Sequence, residues 1–191
     1  MLLRKYFHDE AFKNINYSEK PIEISEFENC TFQNCNFSEF DLSNFVFTDC
    51  IFENCNLSLV KLNNTSLREV QFKACKLLAL HFEDCNEFQF FVSFHDCILN
   101  LSSFYKRKLK NSVFKNCSMH EVDFTETDLS VALFDNCDLY RSIFDNSNLE
   151  KADFRSAYHY SIHPEKNKIK KAKFSKSGVL GLLDRYNIEI E

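Results

Sequence analysis

Cysteine and histidine are the side chains here whose types and spacing could support chemistry. The 9 Cys could form disulfides, bind a metal ion or supply a thiolate nucleophile. Zinc sites commonly use Cys pairs separated by two residues, and the sequence has no such pair. His159 and His163 are four residues apart, but Pro164 and the missing H-E-x-x-H pattern argue against a metal-binding helix. The sequence therefore predicts no metal site and no cofactor.

Catalytic motifs are also missing from the sequence. There is no G-x-S-x-G nucleophile turn, and the 2 Gly are too few for a phosphate-binding loop. Asp and Glu are numerous, but their spacing places them in turns and on the outer surface. We therefore predict a protein that is not an enzyme.

Every Cys instead occupies one position of a five-residue repeat. The stretch from Cys30 to Leu57 reads CTFQN, CNFSE, FDLSN, FVFTD, CIFEN, CNL, with Phe or Leu at each centre. The Cys lies two residues before a centre, where other repeats have Ser, Thr, Ala or Val. A period of five fits neither a helix nor an isolated strand, so it indicates a repeat architecture. The thiols are predicted to be free, buried and structural.

Charged residues suggest how many repeats make one coil. If a coil has about 20 residues, residues 20 apart stack at the strand spacing of about 4.8 Å. Opposite charges then meet, as in Asp41 with Lys61 and Lys106 with Glu126. The same rule predicts an alternating column of Lys115, Asp135 and Arg155. Four sides of five residues per coil follow, with about seven coils in the body.

The repeat also predicts how the chain is divided. The predicted parts are an N-terminal cap over residues 1–21, a repeat body over 22–156 with a break near 86–91, a polar loop over 157–171, and a last repeat, short helix and tail over 172–191. The final residues, 187–191, alternate like a short strand. Arg107 falls at an inward position, so we expect its coil either to open outward or to supply a carboxylate.

Several repeats carry a recognisable family pattern. Val122 begins V-D-F-T-E, Thr127 begins T-D-L-S-V, and Ala152 begins A-D-F-R-S. These resemble the A-(D/N)-L-x-x motif of pentapeptide-repeat proteins. The resemblance implies an all-β fold, a right-handed quadrilateral β-helix, here with a short C-terminal helix.

A narrower resemblance involves the Cys- and Phe-rich body and its ending. Asp153-Phe154, residues 162–169 and the tail 180–190 are similar to the quinolone-resistance (Qnr-type) proteins and the microcin immunity protein. This implies a bacterial protein that binds a type II DNA topoisomerase, gyrase or topoisomerase IV, and protects it from quinolones or a peptide toxin. It also implies a homodimer through the C-terminal helix. The long loops of several Qnr proteins are missing, and only the short break near 86–91 remains.

An acidic stretch could supply the topoisomerase-binding face. Residues 22–60 contain no Lys or Arg, and they cover about two coils. B-DNA carries about six charges over the same ~10 Å, so the charge density suits a DNA mimic. The alternative is an ordinary solvated acidic surface. The predicted partner-binding residues are Glu23, Glu26, Glu28, Glu39, Asp41, Asp49 and Glu53.

Two apolar segments could also make contacts. The break contains Phe88, Gln89, Phe90 and Phe91, which either pack inward or form a binding loop. The C-terminal segment has an apolar face that either plugs the last coil or forms a dimer interface. The residues of that face are Val179, Leu180, Leu182, Leu183 and Tyr186.

Net charge and hydropathy limit the remaining functions. The formal charge of −5 argues against direct binding of nucleic acid. No apolar run near the N-terminus resembles a signal peptide or a membrane span, so a cytoplasmic location without membrane contact is the default expectation. Topoisomerase binding therefore stands beside one alternative, a structural or adaptor solenoid that recruits another protein.

Overall fold

Short parallel strands and tight corners make up nearly the whole chain. A computed structural model describes residues 4–186 and 188–189. The strands are β1 (Lys5–His8), β2 (Ala11–Lys13), β3 (Ser25–Glu28), β4 (Thr31–Gln33), β5 (Val46–Thr48), β6 (Ile51–Glu53), β7 (Ser66–Arg68), β8 (Val70–Lys73), β9 (Val92–His95), β10 (Val113–Lys115) and β11 (Leu133–Asp135). Short 3-10 turns cover Phe82–Asp84, Gly178–Leu182 and Asp184–Tyr186.

Strand pairing confirms the coil length. One sheet has the order β1-β3-β5-β7 and the other β2-β4-β6-β8-β9-β10-β11, with every pair parallel. Phe27 pairs with Phe47, and Phe94 pairs with Phe114. The two partners in each pair are 20 residues apart. Across the break the step grows to 22, because Val70 pairs with Val92. The predicted right-handed quadrilateral β-helix is therefore confirmed.

The corners explain why the sequence has so little Gly. The residue two after each centre commonly has a positive φ, for example 54° at Asn34 and 53° at Asn116, and no described corner of this kind is Gly. Asn tolerates this left-handed backbone better than most residues. Stacked corner amides also bond each other, since Asn54 Nδ2 donates to Asn34 Oδ1 at 2.7 Å and Asn136 Nδ2 to Asn116 Oδ1 at 3.0 Å.

The repeat centres form four inward columns, one on each side of the coil. The first side has Phe7, Phe27, Phe47, Leu67, Leu109, Leu129, Leu149 and Ile169; the second has Phe12, Phe32, Phe52, Phe72, Phe94, Phe114, Phe134, Phe154 and Phe174; the third has Tyr17, Phe37, Leu57, Leu77, Leu99, Met119 and Leu139; the fourth has Leu42, Leu62, Phe82, Phe104, Phe124 and Phe144. All are buried or packed against the core. Each buried side chain contributes roughly 1.5–3 kcal/mol through loss of apolar surface from water.

The thiols fill the space beside these columns, as predicted. Cys35, Cys55, Cys75, Cys97, Cys117 and Cys137 form one buried ladder on the third side, and all nine Cys are free. The thiols of this ladder donate to backbone carbonyls two residues back and one coil earlier; Cys55 Sγ, for example, lies 3.4 Å from Phe32 O. Burial raises the pKa of Cys50 and Cys85 to about 12, so these thiols stay protonated.

Both ends continue the solenoid further than the clear repeats. In the predicted cap, β1 and β2 pair with β3 and β4 and form an additional coil. In the predicted loop 157–171, Tyr158 bridges Asp138 and Lys168 bridges Asn148, while Ile162 and Asn167 are buried. The predicted C-terminal helix consists of two 3-10 turns. The predicted strand over 187–191 lies largely outside the described residues.

Stacked charges partly follow the 20-residue rule. Lys106 Nζ lies 3.5 Å from Glu126 Oε2, and Lys115 Nζ lies 4.0 Å from Asp135 Oδ2. The predicted column does not continue to Arg155, because its guanidinium turns to Asp153 at 2.7 Å on its own coil. Arg155 therefore pairs with the carboxylate two residues away on its own coil and not with the stacked Asp135.

Candidate protein-interaction surface

The seven predicted acidic residues encircle the rod and do not form one flat face. Glu26 and Glu28 lie on the first side in β3, and Glu53 lies on the second side in β6. Glu39 and Asp49 occupy positive-φ corners, at φ 61° and 53°. The other two, Glu23 and Asp41, belong to the fourth side. The structure therefore gathers these carboxylates into a band, which we call the acidic band.

Cations of the first coil neutralise one part of the acidic band. Arg4 Nη1 lies 2.9 Å from Glu26 Oε1, and Lys5 Nζ lies 3.0 Å from Glu23 Oε2. Glu28 accepts a hydrogen bond from the Tyr6 hydroxyl, and this carboxylate raises the pKa of Tyr6 to about 12. The first-side end of the band is thus less negative than the sequence interval 22–60 suggests.

The rest of the band keeps its charge. Asp41 accepts a hydrogen bond from the Ser43 backbone N–H at 2.9 Å, and hydrogen bonding by Ser43 lowers the pKa of Asp41. Glu53 accepts from Gln33 Nε2 at 2.8 Å. In the described part of the chain no cationic group lies within 4.0 Å of the Glu39, Asp41, Asp49 or Glu53 carboxylates. Together with Glu28, whose partner is the neutral Tyr6 hydroxyl, these four residues supply the negative charge of the band that has no adjacent cation.

The break inserts two residues where the first side meets the second. Phe88 is 63% exposed, and the Arg68 guanidinium lies 5.3 Å from its ring centroid. Gln89 has the corner conformation, with φ 55°. Phe90 packs against the core and Phe91 is half-buried. Phe88 therefore faces solvent, whereas Phe90 and Phe91 cover the irregular coil.

Arg107 is buried without a carboxylate, contrary to both predicted outcomes. Only 4% of its surface is exposed. Its Nη2 donates to the Asn86 carbonyl at 3.1 Å, and its guanidinium lies 4.2 Å from the Phe90 ring centroid. Its Nε has no hydrogen-bond partner in the described residues, and burial lowers its pKa. The coil neither opens nor offers a counter-ion, because the inserted residues provide a ring and a carbonyl instead.

The C-terminal turns both cover the last coil and expose apolar surface. Leu182 packs against the core, and the Ile162 backbone N–H donates to the Gly181 carbonyl at 3.0 Å. Leu183 is half-buried. The remaining residues of the predicted interface, Val179, Leu180 and Tyr186, are exposed. The segment therefore closes the last coil and leaves three apolar side chains free.

A pocket of about 480 Å³ lies between the last coil and these turns, and the sequence reasoning missed it. Tyr140, Tyr158, His159, Tyr160 and Asp184 are among its lining residues. Both glycines of the chain also line it. That coincidence of Gly and Tyr near the C-terminus is the one signal in the sequence that could have indicated it.

Neither a metal-ion site nor a membrane-spanning helix is found among the described residues. Within them, no cluster of three His, Cys, Asp or Glu side chains is arranged to hold a metal ion. Across the same residues, no helix is long and apolar enough to span a bilayer. The described surface is that of a rod with a charged band, one exposed Phe and an apolar end.

Comparison with known proteins identifies the family. A model of the pentapeptide repeat region matches residues 25–89 and 90–158. The chain belongs to the pentapeptide-repeat family. The break at 86–91 spans the junction of the two matched regions, so the pentapeptide-repeat pattern resumes after the insertion.

One solved pentapeptide-repeat protein shares the fold at low identity, and a second is similar over most of its length. HetL from the cyanobacterium Nostoc sp. strain PCC 7120, a pentapeptide-repeat protein involved in heterocyst differentiation regulation, is 14% identical, with a TM-score of 0.67 over 92% of this chain and 88% of HetL. A trypsin-treated variant of QnrB1, a plasmid-mediated fluoroquinolone resistance protein, is 20% identical, with a TM-score of 0.49 over 97% of this chain and 99% of that chain. A search of curated proteins found no significant match. A pentapeptide-repeat solenoid supports a role in protein–protein interaction.

Proposed function

We propose that this pentapeptide-repeat protein is a non-enzymatic cytoplasmic protein that binds a type II DNA topoisomerase, gyrase or topoisomerase IV, and protects it from quinolones or a peptide toxin. The observation that carries the proposal is the acidic band. Duplex DNA presents charge around a cylinder at about six per 10 Å, and the band likewise encircles a rigid rod over about two coils. Glu39, Asp41, Asp49 and Glu53 would occupy the enzyme surface that otherwise binds DNA phosphates.

Charge reversal within the band tests this proposal. Glu39→Lys with Asp49→Lys changes two corner positions, and Lys already occupies comparable corners at Lys106 and Lys151. We expect the double variant to bind gyrase at least about tenfold more weakly in a pull-down, because two attractive charges become repulsive. The matched control is Glu121→Lys with Glu150→Lys, which makes the same charge change far from the band and should leave binding intact. Equal binding by both double variants would refute the role of the band.

The alternative, an adaptor for a different protein, is favoured by exposed apolar corners. Leu59 and Leu101 have φ of 60° and 63° and lie one above another on the corner between the third and fourth sides, separated by Ala79. Leu101 is 58% exposed. Branched residues at positive φ are strained, and exposed strained apolar residues are typical of contact sites. A gyrase supercoiling assay with and without ciprofloxacin separates the two functions, since an adaptor changes neither supercoiling, inhibition nor rescue.

We also propose a homodimer through Val179, Leu180 and Tyr186. The dimer would cover the apolar surface that the C-terminal turns leave exposed, whereas Leu182 and Leu183 keep the last coil closed. Val179→Asp with Leu180→Asp should convert a dimer to a monomer in sedimentation equilibrium. Ile143→Asp, at an exposed apolar residue on the fourth side, is the control. A monomeric parent protein, or a double variant that stays dimeric, would contradict this interface.

A further inference from the structure

Both glycines beside the pocket near the C-terminus approach Tyr160 closely. A Cβ added to Gly178 would lie 2.2 Å from Tyr160 Oη, and one added to Gly181 would lie 2.1 Å from the Tyr160 carbonyl oxygen. Only glycine permits such an approach. Tyr160 is 4% exposed, and its ring centroid lies 5.7 Å from that of Phe154 with the two planes tilted by 56°. The floor of the pocket is therefore a fixed aromatic side chain.

Aromatic rings also form the walls of the pocket. The His159 ring lies edge-on to Tyr158, with centroids 4.9 Å apart, and edge-on to Tyr140 at 6.4 Å. Tyr140 and Tyr158 are exposed although they are large and partly apolar. Three tyrosines around one opening present several π-faces, which attract cations.

The charged lining of the pocket is acidic, and the Arg141 guanidinium lies outside the lining, 6.0 Å from the Tyr140 ring centroid. Asp184 lines it, and no Lys or Arg does so in the part of the chain that the structure describes. Behind the wall, Asp138 accepts from His159 Nδ1 at 2.9 Å and from His120 Nε2 at 2.8 Å. Burial works to raise the pKa of Asp138, but hydrogen bonds with the two histidines outweigh it and lower the pKa. Asp138 therefore stays ionised and adds negative potential near the rings.

We propose that this pocket binds the guanidinium group of an arginine side chain on a partner protein. A guanidinium is planar, stacks on aromatic faces and offers several N–H donors for a carboxylate such as Asp184. The volume of about 480 Å³ accommodates an extended side chain with its flanking backbone. The inference rests on the proposed protein-binding function and adds a chemical requirement for the partner segment.

Glycine labelling gives a direct readout. Protein labelled with 15N-glycine has two amide signals, Gly178 and Gly181, and both residues line the pocket. Titration of the full chain with N-acetyl-argininamide should shift both signals saturably. N-acetyl-citrullinamide has nearly the same shape without the charge and should bind about tenfold more weakly. N-acetyl-lysinamide should also bind more weakly, because an ammonium stacks less well.

Two variants locate the binding chemistry. Asp184→Asn and Tyr158→Leu should each weaken N-acetyl-argininamide about threefold to tenfold, because they remove the carboxylate and one π-face. Asp96→Asn and Tyr105→Leu make the same changes outside the pocket and should have no effect. The inference is overturned if the signals do not saturate, if the citrulline probe binds as well, or if both pocket variants bind normally. The gyrase pull-down uses other residues, so the two proposals fail independently.

Discussion

The second side and the first side of the solenoid respond differently to the same insertion. On the second side, β2, β4, β6, β8, β9, β10 and β11 form one unbroken sheet. The Phe rings of this side stack from Phe12 to Phe174 at centroid distances such as 4.7 Å and 5.3 Å. On the first side, strands end after β7 and the chain bulges through Glu87–Phe91. The extra residues sit at the corner, so the neighbouring side changes its step from 20 to 22 without losing a ring. A repeat fold can therefore absorb an insertion where two sides meet.

The largest test of this comparison removes one aromatic ring from each region. Phe94→Ala should reduce the free energy of unfolding by about 3–5 kcal/mol, because it leaves a cavity within a stacked column. Phe88→Ala at the bulge should cost less than about 0.5 kcal/mol, since that ring is largely exposed. Urea unfolding followed by circular dichroism measures both. Comparable losses would show that Phe88 in the bulge contributes as much to stability as a ring in the stacked Phe column.

A smaller effect tests whether the insertion exists to cover Arg107. Deletion of Phe90 and Phe91 should reduce the free energy of unfolding by about 2–3 kcal/mol. The deletion restores the regular five-residue repeat but leaves the buried Arg107 guanidinium without its aromatic partner. In an Arg107→Ser background, which restores a small inward residue, the same deletion should cost at least about 1 kcal/mol less. The double-mutant cycle comes from four urea melts. Additive effects would mean that Arg107 and the insertion are independent.

A pH-dependent contribution is expected on the unbroken side. Hydrogen bonding from Arg155 holds the pKa of Asp153 below its usual value, and Lys173 lies 3.5 Å away. A lowered folded-state pKa stabilises the fold fully above the unfolded pKa near 4, and the contribution is lost as pH falls through the lower folded value. Asp153→Asn should therefore be less stable than the parent at pH 7, and the gap should close in acid. Thermal melts between pH 7 and pH 2.5 measure it; a constant gap would contradict the assignment.

The smallest expected effect concerns the corners. Leu101→Asn should stabilise the protein by about 0.5–1 kcal/mol, because Asn tolerates its positive φ of 63° better than Leu does. The Asn116 side chain donates a hydrogen bond to Asp96 and accepts one from Asn136, so Asn116→Leu should destabilise the protein by at least as much. Thermal denaturation of the two variants provides the comparison. Stabilisation by Asn116→Leu would overturn the explanation of the corners.

Periodic features could be predicted from sequence, and features that depend on one coil could not. The five-residue columns, the 20-residue stack and the free Cys ladder follow from spacing alone. The prediction for Arg107 is wrong because its partners, a carbonyl and a ring, come from an irregular bulge. The acidic stretch 22–60 looked unneutralised because Arg4 and Lys5 lie outside that interval and one coil away in space. The pocket depends on a backbone approach at Gly178 and Gly181, for which the sequence gives only the occurrence of Gly and Tyr near the C-terminus and no periodic pattern.

The change of step at the break has a consequence for assembly of the coil. A perfectly uniform array can slide by one whole turn and still match every apolar residue with another. Here a slide of 20 residues would carry Arg107 away from Asn86 and Phe90 and set the 22-residue step against a 20-residue one. The irregular coil therefore fixes the register of the stacked coils. One register has the lowest energy although most of the repeats are similar to each other.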